Sequence, residues 1–288
     1  MEVDLFNDPQ ETFKCALEKY GVWPMTVWPV DMQDNKTKQL KSAIGDSGQA
    51  RGEEGEKVFF AGAWREVGTT GFYTSKGFGA FNPAIASWLL NCYAPETGFC
   101  FDPFAGGGTR AIMAASYGLD YVGYEIRQEE VDAVYGRCVN AGVSDKVLIH
   151  CGDSRNCELT NDNSADFLIT CPPYWNLEQY DGGDCDLSMI NSYDNFIIEI
   201  TKTINESYRI LKSGAISCWV VGLHRDNGEL ITMHHDIAAA HKKAGFVQKE
   251  EIILNMVNNG AVQRVGNFEK GNKFLIRNHE YALVFAKK

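Results

Sequence analysis

The residues best placed to do chemistry lie where three apolar, strand-like runs of the sequence end. Asp102–Thr109 (DPFAGGGT) follows the first run and precedes a helix-like stretch, while Glu125 and Asp153 end the next two runs. Consecutive glycines let a backbone approach a ligand closely, and the N-terminus of a helix favours negative groups. Because ligands of open α/β sheets bind at the carboxyl ends of the strands, these residues together predict a nucleoside pocket.

Within such a pocket, Glu125 can take both ribose hydroxyls and Asp153 can hold an adenine amine. The glycine-rich stretch lacks the dinucleotide fingerprint G-x-G-x-x-G, which disfavours NAD. Taken singly, each acid is more often a solvated residue at a strand end, and the glycines alone fit a plain strand-to-helix turn. Three successive strand ends that each carry an acid favour the pocket.

A second motif, Thr170–Trp175 (TCPPYW), follows the fourth strand-like run. Its two prolines fix the backbone and remove competing N–H donors, so the Pro172 carbonyl can point at a substrate. The alternative is a surface turn that begins with Pro172 and Pro173, which the position at the end of a strand disfavours.

The two motifs together resemble those of DNA amino-methyltransferases, which methylate N6 of adenine or N4 of cytosine. DPFAGGGT resembles their DPFAGxGT motif, and TCPPYW resembles their catalytic tetrapeptide (Asp/Asn/Ser)-Pro-Pro-(Tyr/Phe/Trp). The resemblance covers about Phe81 to Lys288. It implies that the cofactor is S-adenosylmethionine, with its methionine part in the glycine-rich loop, its ribose on the acid after the second strand and its adenine near the acid after the third.

The resemblance also implies a set of site residues. The cofactor-binding residues are expected to be Phe81, Pro83, Asp102, Pro103, Phe104, Ala105, Gly106, Gly108, Thr109, Glu125, Asp153 and Ser154. The catalytic residues are expected to be Cys171, Pro172, Pro173 and Tyr174, with Trp175 on the substrate.

The expected chemistry is the activation of an exocyclic amine, whose lone pair is delocalised into the ring of the base. Acceptors aimed at its N–H groups favour a more tetrahedral nitrogen with an available lone pair, which stabilises developing charge. The Pro172 carbonyl is such an acceptor, and Tyr174 can stack on a base that has swung out of a duplex.

Cys171 stands where the family has Asp, Asn or Ser. A thiol is a weaker acceptor than a carboxylate or an amide, so either the Pro172 carbonyl takes the role or the motif is specialised. An alternative is that Cys171 is a nucleophile, as in cytosine-C5 enzymes, although those carry the cysteine after a proline in a different loop. The variant slightly favours the Ser-like branch and hence N4 of cytosine.

The elements that must position these residues alternate between strand-like and helix-like stretches from about Gly98 onward, which is the rhythm of a doubly wound α/β domain. The predicted strands are Gly98–Asp102, Asp120–Glu125, Val147–Asp153, Ala165–Thr170, Ala215–Val221, Glu250–Met256 and Glu280–Ala286. The predicted helices are Phe81–Leu90, Thr109–Tyr117, Gln128–Asn140, Tyr193–Leu211 and Leu230–Ala244. This rhythm predicts a mostly parallel sheet of seven strands, and the resemblance implies a Rossmann-like methyltransferase sheet with an antiparallel last strand. It would form a catalytic domain over residues 81–288, preceded by an N-terminal elaboration over residues 1–80 that contributes to substrate contact.

The expected partner is DNA, with RNA or an unusual base as a less favoured substrate. Arg264, Lys270 and Lys273 alternate with Phe268 and Phe274 and are predicted to track a nucleic-acid backbone. A solvated hairpin loop before the last strand explains these basic residues equally well. The net charge of −11 argues against tight non-specific binding to DNA, and a weakly catalytic nucleic-acid-binding protein is the alternative from another class.

Composition narrows the classes of protein to which this chain can belong. Apolar residues make up 44% and charged residues 23% of the chain, which is typical of a globular protein, and no apolar stretch is long enough to span a membrane. With no secretory signal either, we expect a soluble, cytoplasmic protein. The nine cysteines form no C-x-x-C pair, which predicts reduced thiols and no metal site.

The stretches Trp23–Asp31, Arg51–Glu53 and Arg264–Phe274 resemble a subgroup of DNA amino-methyltransferases from bacteriophages and prophages. The sequence leaves the oligomeric state open.

Overall fold

The computed structural model describes residues 25–30, 50–51, 57–58, 81–177, 180, 182–256, 275 and 277–288. The strands are β1 Val27–Pro29, β2 Ala50–Arg51, β3 Lys57–Val58, β4 Phe99–Asp102, β5 Asp120–Glu125, β6 Val147–Cys151, β7 Ala165–Thr170, β8 Leu211–Val221, β9 His224–Asp226, β10 Glu229–Ile231, β11 Phe246–Asn255 and β12 His279–Lys287. The α-helices of the described residues are α1 Pro83–Tyr93, α2 Thr109–Ser116, α3 Gln128–Asn140, α4 Tyr193–Ile210 and α5 Met233–Ala244.

The central sheet has the strand order β1-β11-β12-β8-β7-β4-β5-β6. Strands β4 to β8 pair in parallel, whereas β12 runs antiparallel to both β8 and β11. The predicted fold class, a mostly parallel sheet with an antiparallel last strand, is confirmed. Since the carboxyl ends of β4 to β7 meet at one edge, the motifs that follow these strands are brought together there.

Within the part of the chain that the structure describes, the sheet has eight strands, and the predicted number of seven was wrong. The additional strand is β1, which pairs in parallel with β11 through Val27 and Ile253 at the edge of the sheet. This strand lies within residues 1–80. Because it is only three residues long, its sequence shows too little alternation of apolar and polar residues to be recognised as a strand. Its last residue, Pro29, is tolerated because an edge strand does not need every N–H group for pairing. The division of the chain at residue 80 stays a prediction.

A short hairpin replaces the start of the predicted helix over Leu230–Ala244. Strands β9 and β10 pair antiparallel across Asn227 and Gly228, both of which have a positive φ (+46° and +88°). A two-residue turn of this kind matches the twist of the flanking strands, and α5 consequently begins only at Met233.

Helices cover both faces of the sheet and create two apolar layers. On one face, Trp88, Ile112 and Val134 of α1 to α3 pack against the strands, and on the other Phe196 and Ile237 of α4 and α5 do so. Strand β7 is buried along nearly its whole length because it is covered from both sides. This rigid centre of the sheet carries the two motifs.

No helix among the described residues is long and apolar enough to cross a membrane. In the same part of the chain, no group of three or more His, Cys, Asp or Glu side chains is arranged to hold a metal ion. The cysteines that the structure describes are free thiols, as the sequence predicted.

Candidate active site

Asp102 ends β4 and lies fully buried beneath the glycine-rich loop. Its Oδ1 accepts hydrogen bonds from the Phe104 N–H (3.0 Å) and the Thr170 hydroxyl (2.6 Å). Its Oδ2 accepts from Arg110 Nε (2.7 Å) and the Tyr121 hydroxyl (2.8 Å). All four donors belong to the protein, so the carboxylate fixes the loop and the neighbouring strands. Its predicted contact with the cofactor stays a prediction.

Arg110 is a site residue that sequence reasoning missed. It lies in the first turn of α2, is buried, and donates from Nη2 to the carbonyl oxygens of Phe104 and Ala105. The guanidinium also lies 4.7 Å from the ring centroid of Phe81, so the segment before α1 meets the loop through this side chain. The signal for its role was a single cation in the otherwise apolar first turns of α2, next to a strand that ends in Asp102.

The segment Phe81–Pro83 is held by the start of α1. Asn82 caps this helix by accepting a 2.9 Å hydrogen bond from the Ala84 N–H, and Pro83 occupies its first position. Both features pre-organise a helix N-terminus. Phe81 precedes this cap and lies against Arg110 beside the loop, and the contacts of Phe81 and Pro83 with the cofactor stay predictions.

The three glycine positions of the loop differ in backbone conformation and in the space that a side chain would have. Gly106 and Gly108 have positive φ values of +51° and +78°, and a Cβ at Gly108 would lie 2.5 Å from Val134 Cγ1. Gly107 has no positive φ, and the nearest atom to a Cβ there would be Arg137 Nη1 at 3.6 Å, an ordinary contact. A side chain at Gly107 would therefore meet α3 at ordinary contact distance, and nothing within the described chain requires glycine at this position.

Several other bonds hold the loop in shape. The Ala105 N–H donates to the Tyr124 carbonyl (2.8 Å), and Arg137 Nη1 donates to both the Gly107 carbonyl (2.6 Å) and Glu130 Oε1 (2.9 Å). Pro103 is buried, and the half-buried Phe104 ring lies edge-on to Trp219. The loop is therefore fixed by contacts on its inner side.

Thr109 opens α2, and its hydroxyl is a buried polar group that has no hydrogen-bond partner among the described residues. A buried hydroxyl that forms no hydrogen bond costs stability, so an unpaired one next to a candidate cradle points to a missing partner. This hydroxyl fits a ligand seated on the loop.

Glu125 ends β5 and faces the same loop. Its Oε2 accepts a hydrogen bond from the Gly106 N–H (3.1 Å) and its Oε1 accepts from the Arg127 N–H (3.0 Å). Burial raises the pKa of this carboxyl above its ordinary value, although the two backbone donors and the Arg127 charge oppose the shift. One acceptor lone pair remains on each oxygen, which suits a pair of ribose hydroxyls.

Asp153 and Ser154 follow β6, and their side chains already form hydrogen bonds with other residues of the protein. Arg155 contacts both carboxylate oxygens of Asp153, with Nε 2.9 Å and Nη2 2.6 Å from Oδ2. Burial acts to raise the pKa of Asp153, but the hydrogen bonds of Arg155 outweigh it and the net shift is downward. The buried Ser154 hydroxyl lies 3.1 Å from the Thr203 hydroxyl of α4. Contacts of these two residues with adenine stay predictions.

The catalytic motif continues directly from β7. The half-buried Cys171 lies with Sγ 3.2 Å from the Tyr174 hydroxyl, and Pro172 is buried while Pro173 is half-buried. Burial raises the pKa of the Cys171 thiol to about 12, so the thiol is protonated at neutral pH. Because Tyr174 bonds back to Cys171, the motif forms one compact turn.

The ring of Tyr174 lies over Gly222, another residue that sequence reasoning missed. A Cβ at Gly222, directly after β8, would lie 2.4 Å from Tyr174 Cε2. No side chain larger than hydrogen fits there without moving the ring. A glycine that ends a strand beside the motif was the only signal in the sequence.

Trp175 is placed as an anchor of the motif. It is buried, its φ of +52° lies in the left-handed region, and its indole N–H donates to the Ile190 carbonyl (2.7 Å). Its ring lies 5.4 Å from that of Tyr193 and 5.8 Å from that of His224. A bulky residue in this conformation is held there by its surroundings at a cost of about 1–3 kcal/mol. A direct contact with substrate stays a prediction.

The structure therefore brings the glycine-rich loop, Glu125 and the catalytic motif to one edge of the sheet, with Asp102 and Thr170 in direct contact. The predicted backbone-tracking residues Arg264, Lys270 and Lys273 lie outside the described residues.

Comparison with known proteins agrees with this arrangement. The family model of N6/N4 methyltransferases, described as DNA methylase, matches residues 5–136 and 165–288. These ranges include the glycine-rich loop, Glu125 and the catalytic motif, whereas Asp153 lies between them. No curated protein matches the chain. The phage and prophage subgroup stays a prediction.

Solved structures share the fold at low sequence identity. The cyclase SpnF has a TM-score of 0.52 and 16% identity, covering 87% of this chain and 92% of its own. TrmN from Thermus thermophilus has a TM-score of 0.50 and 14% identity over 79% of this chain, which spans 54% of TrmN. At such identities the likeness shows the fold alone.

Proposed function

This chain belongs to the DNA methylase family, and we propose that it transfers a methyl group from S-adenosylmethionine to an exocyclic amino group of cytosine or adenine in DNA. The chain is a methyltransferase, and S-adenosylmethionine is its cofactor. The single observation that carries the finer proposal is the direct bond between Thr170, which precedes the catalytic motif, and Asp102, which begins the cofactor loop.

The residues present fit the cofactor. The unpaired Thr109 hydroxyl suits the methionine end, and the remaining lone pairs of Glu125 suit the ribose hydroxyls. When bound, the cofactor supplies an electrophilic methyl group on a sulfonium centre.

The catalytic turn would act on the amine of a base taken out of the stack. The Pro172 carbonyl would accept a hydrogen bond from the amine and favour a nitrogen with an available lone pair, while Tyr174 would lie against the base. The bond between Tyr174 and Cys171 and the close fit over Gly222 pre-organise this turn. The motif variant Cys-Pro-Pro-Tyr resembles the Ser-like branch, and we propose N4 of cytosine as the preferred target.

The geometry argues against cytosine-C5 chemistry with Cys171 as nucleophile. A nucleophilic cysteine must be available as thiolate, which positive neighbours or a helix N-terminus usually provide. The Cys171 thiol is instead hydrogen-bonded to Tyr174 and has a pKa raised by burial.

Cofactor binding and methyl transfer test the proposal together. Calorimetry with S-adenosylmethionine should show saturable binding that Glu125→Gln weakens at least roughly ten-fold, the cost of one or two lost hydrogen bonds to a charged group. The matched control is Glu129→Gln, an exposed acid at the start of α3. Labelled methyl groups should pass to unmodified DNA with the wild type and not with Tyr174→Ala. No binding, or equal activity of the wild type and Tyr174→Ala, would contradict the proposal.

A further inference from the structure

Glu280 lies at the start of β12, on the same edge of the sheet as the catalytic motif. In the antiparallel ladder, Tyr281 is opposite Val221 of β8, so Glu280 lies beside Gly222, the next residue of that chain. Along β12, Ala282 and Val284 point into the apolar layer against which Cys171 packs. Because side chains alternate between the faces of a strand, Glu280 belongs to this same face.

Only β8 separates Glu280 from the motif. Thr170 is opposite Trp219, so the chain of Cys171 leaves β7 alongside Val220. The backbones of Glu280 and the motif are thus two strand spacings apart, which is roughly 10 Å. An extended glutamate side chain spans a large part of this distance. Gly222 offers no side chain between them, and the ring of Tyr174 occupies that position.

The negative charge of Glu280 affects the pKa values of two residues in the motif. After burial, the dominant cause, the negative charge of Glu280 is among the factors that raise the pKa values of both Cys171 and Tyr174. Arg110 acts in the opposite direction on Cys171. The carboxylate of Glu280 therefore acts on both reactive positions of the catalytic turn.

We propose that Glu280 is a catalytic carboxylate that accepts the proton lost by the target amine, and that it supplies the acceptor which Cys171 does not. This inference rests on the proposed function. An ionised carboxylate is a strong acceptor with several lone pairs, whereas a thiol is a weak one. Because Cys171 stands in the position of the family's stronger acceptor, a carboxylate from another strand would add to the acceptor that the Pro172 carbonyl provides.

The step balances with groups already named. The amine lone pair forms the new N–C bond as the methyl group leaves the cofactor sulfur, and the electron pair of the broken S–C bond stays on sulfur. The methylated nitrogen then carries one proton too many, which passes to the Glu280 carboxylate and from there to water. Glu280 is regenerated in each turnover.

The first test is Glu280→Gln, which keeps the shape and removes the proton acceptor. We expect kcat for DNA methylation to fall roughly 100-fold, the usual effect of losing a general base, with KM for S-adenosylmethionine changed less than about two-fold. The matched control is Glu251→Gln, an exposed acid on the adjacent strand β11, which should leave both constants unchanged. A wild-type kcat in Glu280→Gln would overturn the inference.

A rescue experiment separates catalysis from a structural role. In the double variant Cys171→Asp with Glu280→Gln, the family's carboxylate is restored within the motif. We expect kcat to recover at least about ten-fold over Glu280→Gln alone, since a general base is again in place. A double variant as inactive as Glu280→Gln would show that Glu280 does something other than replace that acceptor.

A measurement that needs no substrate keeps the inference distinct from the proposed function. If the wild type methylates no DNA, the proposed function fails, and the juxtaposition is then tested through Cys171. Its alkylation by iodoacetamide, followed by peptide mass spectrometry, should be faster in Glu280→Gln than in the wild type at the same pH, because removing the charge lowers the pKa of the thiol. An unchanged rate would overturn the placement of Glu280 beside the motif.

Discussion

The Thr170 hydroxyl donates a 2.6 Å hydrogen bond to Asp102 Oδ1, and both residues are fully buried. One bond thus connects the last residue before the catalytic motif with the carboxylate from which the cofactor loop begins. Methyl transfer needs the donor and the acceptor held in line, so this link bears on the rate as well as on stability.

Thr170→Val should uncouple the two motifs while it keeps the shape of the side chain. We expect the free energy of unfolding to fall by about 2 kcal/mol, because a buried charged acceptor loses a donor, and kcat to fall with it. Chemical denaturation and initial rates measure the two effects. Thr170→Ser retains the hydroxyl and is the control. Equal stability of the Val and Ser variants would show that the bond contributes nothing.

Gly107→Ala should damage cofactor binding without damaging the fold. The backbone of Gly107 needs no positive φ, and the new Cβ would lie 3.6 Å from Arg137 Nη1, an ordinary contact, while it adds bulk to the loop that we propose holds the cofactor. We expect the melting temperature without ligand to be unchanged. The affinity for S-adenosylmethionine should fall at least roughly ten-fold, which corresponds to a loss of about 1.4 kcal/mol of binding free energy.

Gly108→Ala is the contrasting variant. Its positive φ and the nearby Val134 predict a loss of stability even without ligand. Wild-type affinity in Gly107→Ala would refute a close approach of the cofactor to Gly107.

Gly222→Ala should displace the ring of Tyr174, since the added methyl group would lie 2.4 Å from Cε2. Overpacking of this kind costs about 1–3 kcal/mol and here should also lower kcat. Combining it with Tyr174→Ala tests the cause, because removal of the ring should relieve the loss of stability. If the two losses simply add, the contact between these residues is not the reason.

His241 predicts a loss of stability in mild acid. It is fully buried and stacked on Phe285, its Nδ1–H donates to the Ile237 carbonyl, and burial lowers its pKa from 6.5 to about 3. Because the folded-state pKa lies below the unfolded one, its contribution is present above pH 6.5 and is lost as the pH falls from 6.5 toward 3.

Chemical denaturation measures this loss. Between neutral pH and about pH 5 the free energy of unfolding should drop by about 2 kcal/mol through this residue. The difference between the two pH values should be smaller by that amount in His241→Gln, which keeps a side-chain donor but does not titrate. An identical pH dependence in the variant would contradict this account.

Local motifs made the centre of the fold predictable. Strands β4 to β7 are short apolar runs between turn signals, and their ends carry Asp102, Glu125 and the catalytic motif, so the edge of the sheet could be located before the structure was known. The antiparallel last strand came with the resemblance to a known family.

What the sequence did not reveal are contacts between distant segments. The donors to Asp102 come from its own loop, α2, β5 and β7, and the only signal for Arg110 was its position as a single cation in the apolar start of a helix. Glu280 carries no local pattern that distinguishes it from an ordinary charged residue. Strand β1 is too short to show alternation, and its place in the sheet depends on pairing with β11. Trp175 is buried, and its indole N–H donates to the carbonyl of Ile190, a residue outside the motif.

The central claim is that this methyltransferase modifies an amino group of a base in DNA. The most direct measurement is transfer from labelled S-adenosylmethionine to unmodified DNA and to RNA, with digestion to nucleosides and mass spectrometry of the labelled product. We predict label in DNA only, as N4-methylcytosine or N6-methyladenine, with N4-methylcytosine favoured. Label in 5-methylcytosine, or label in RNA and not in DNA, would contradict the account.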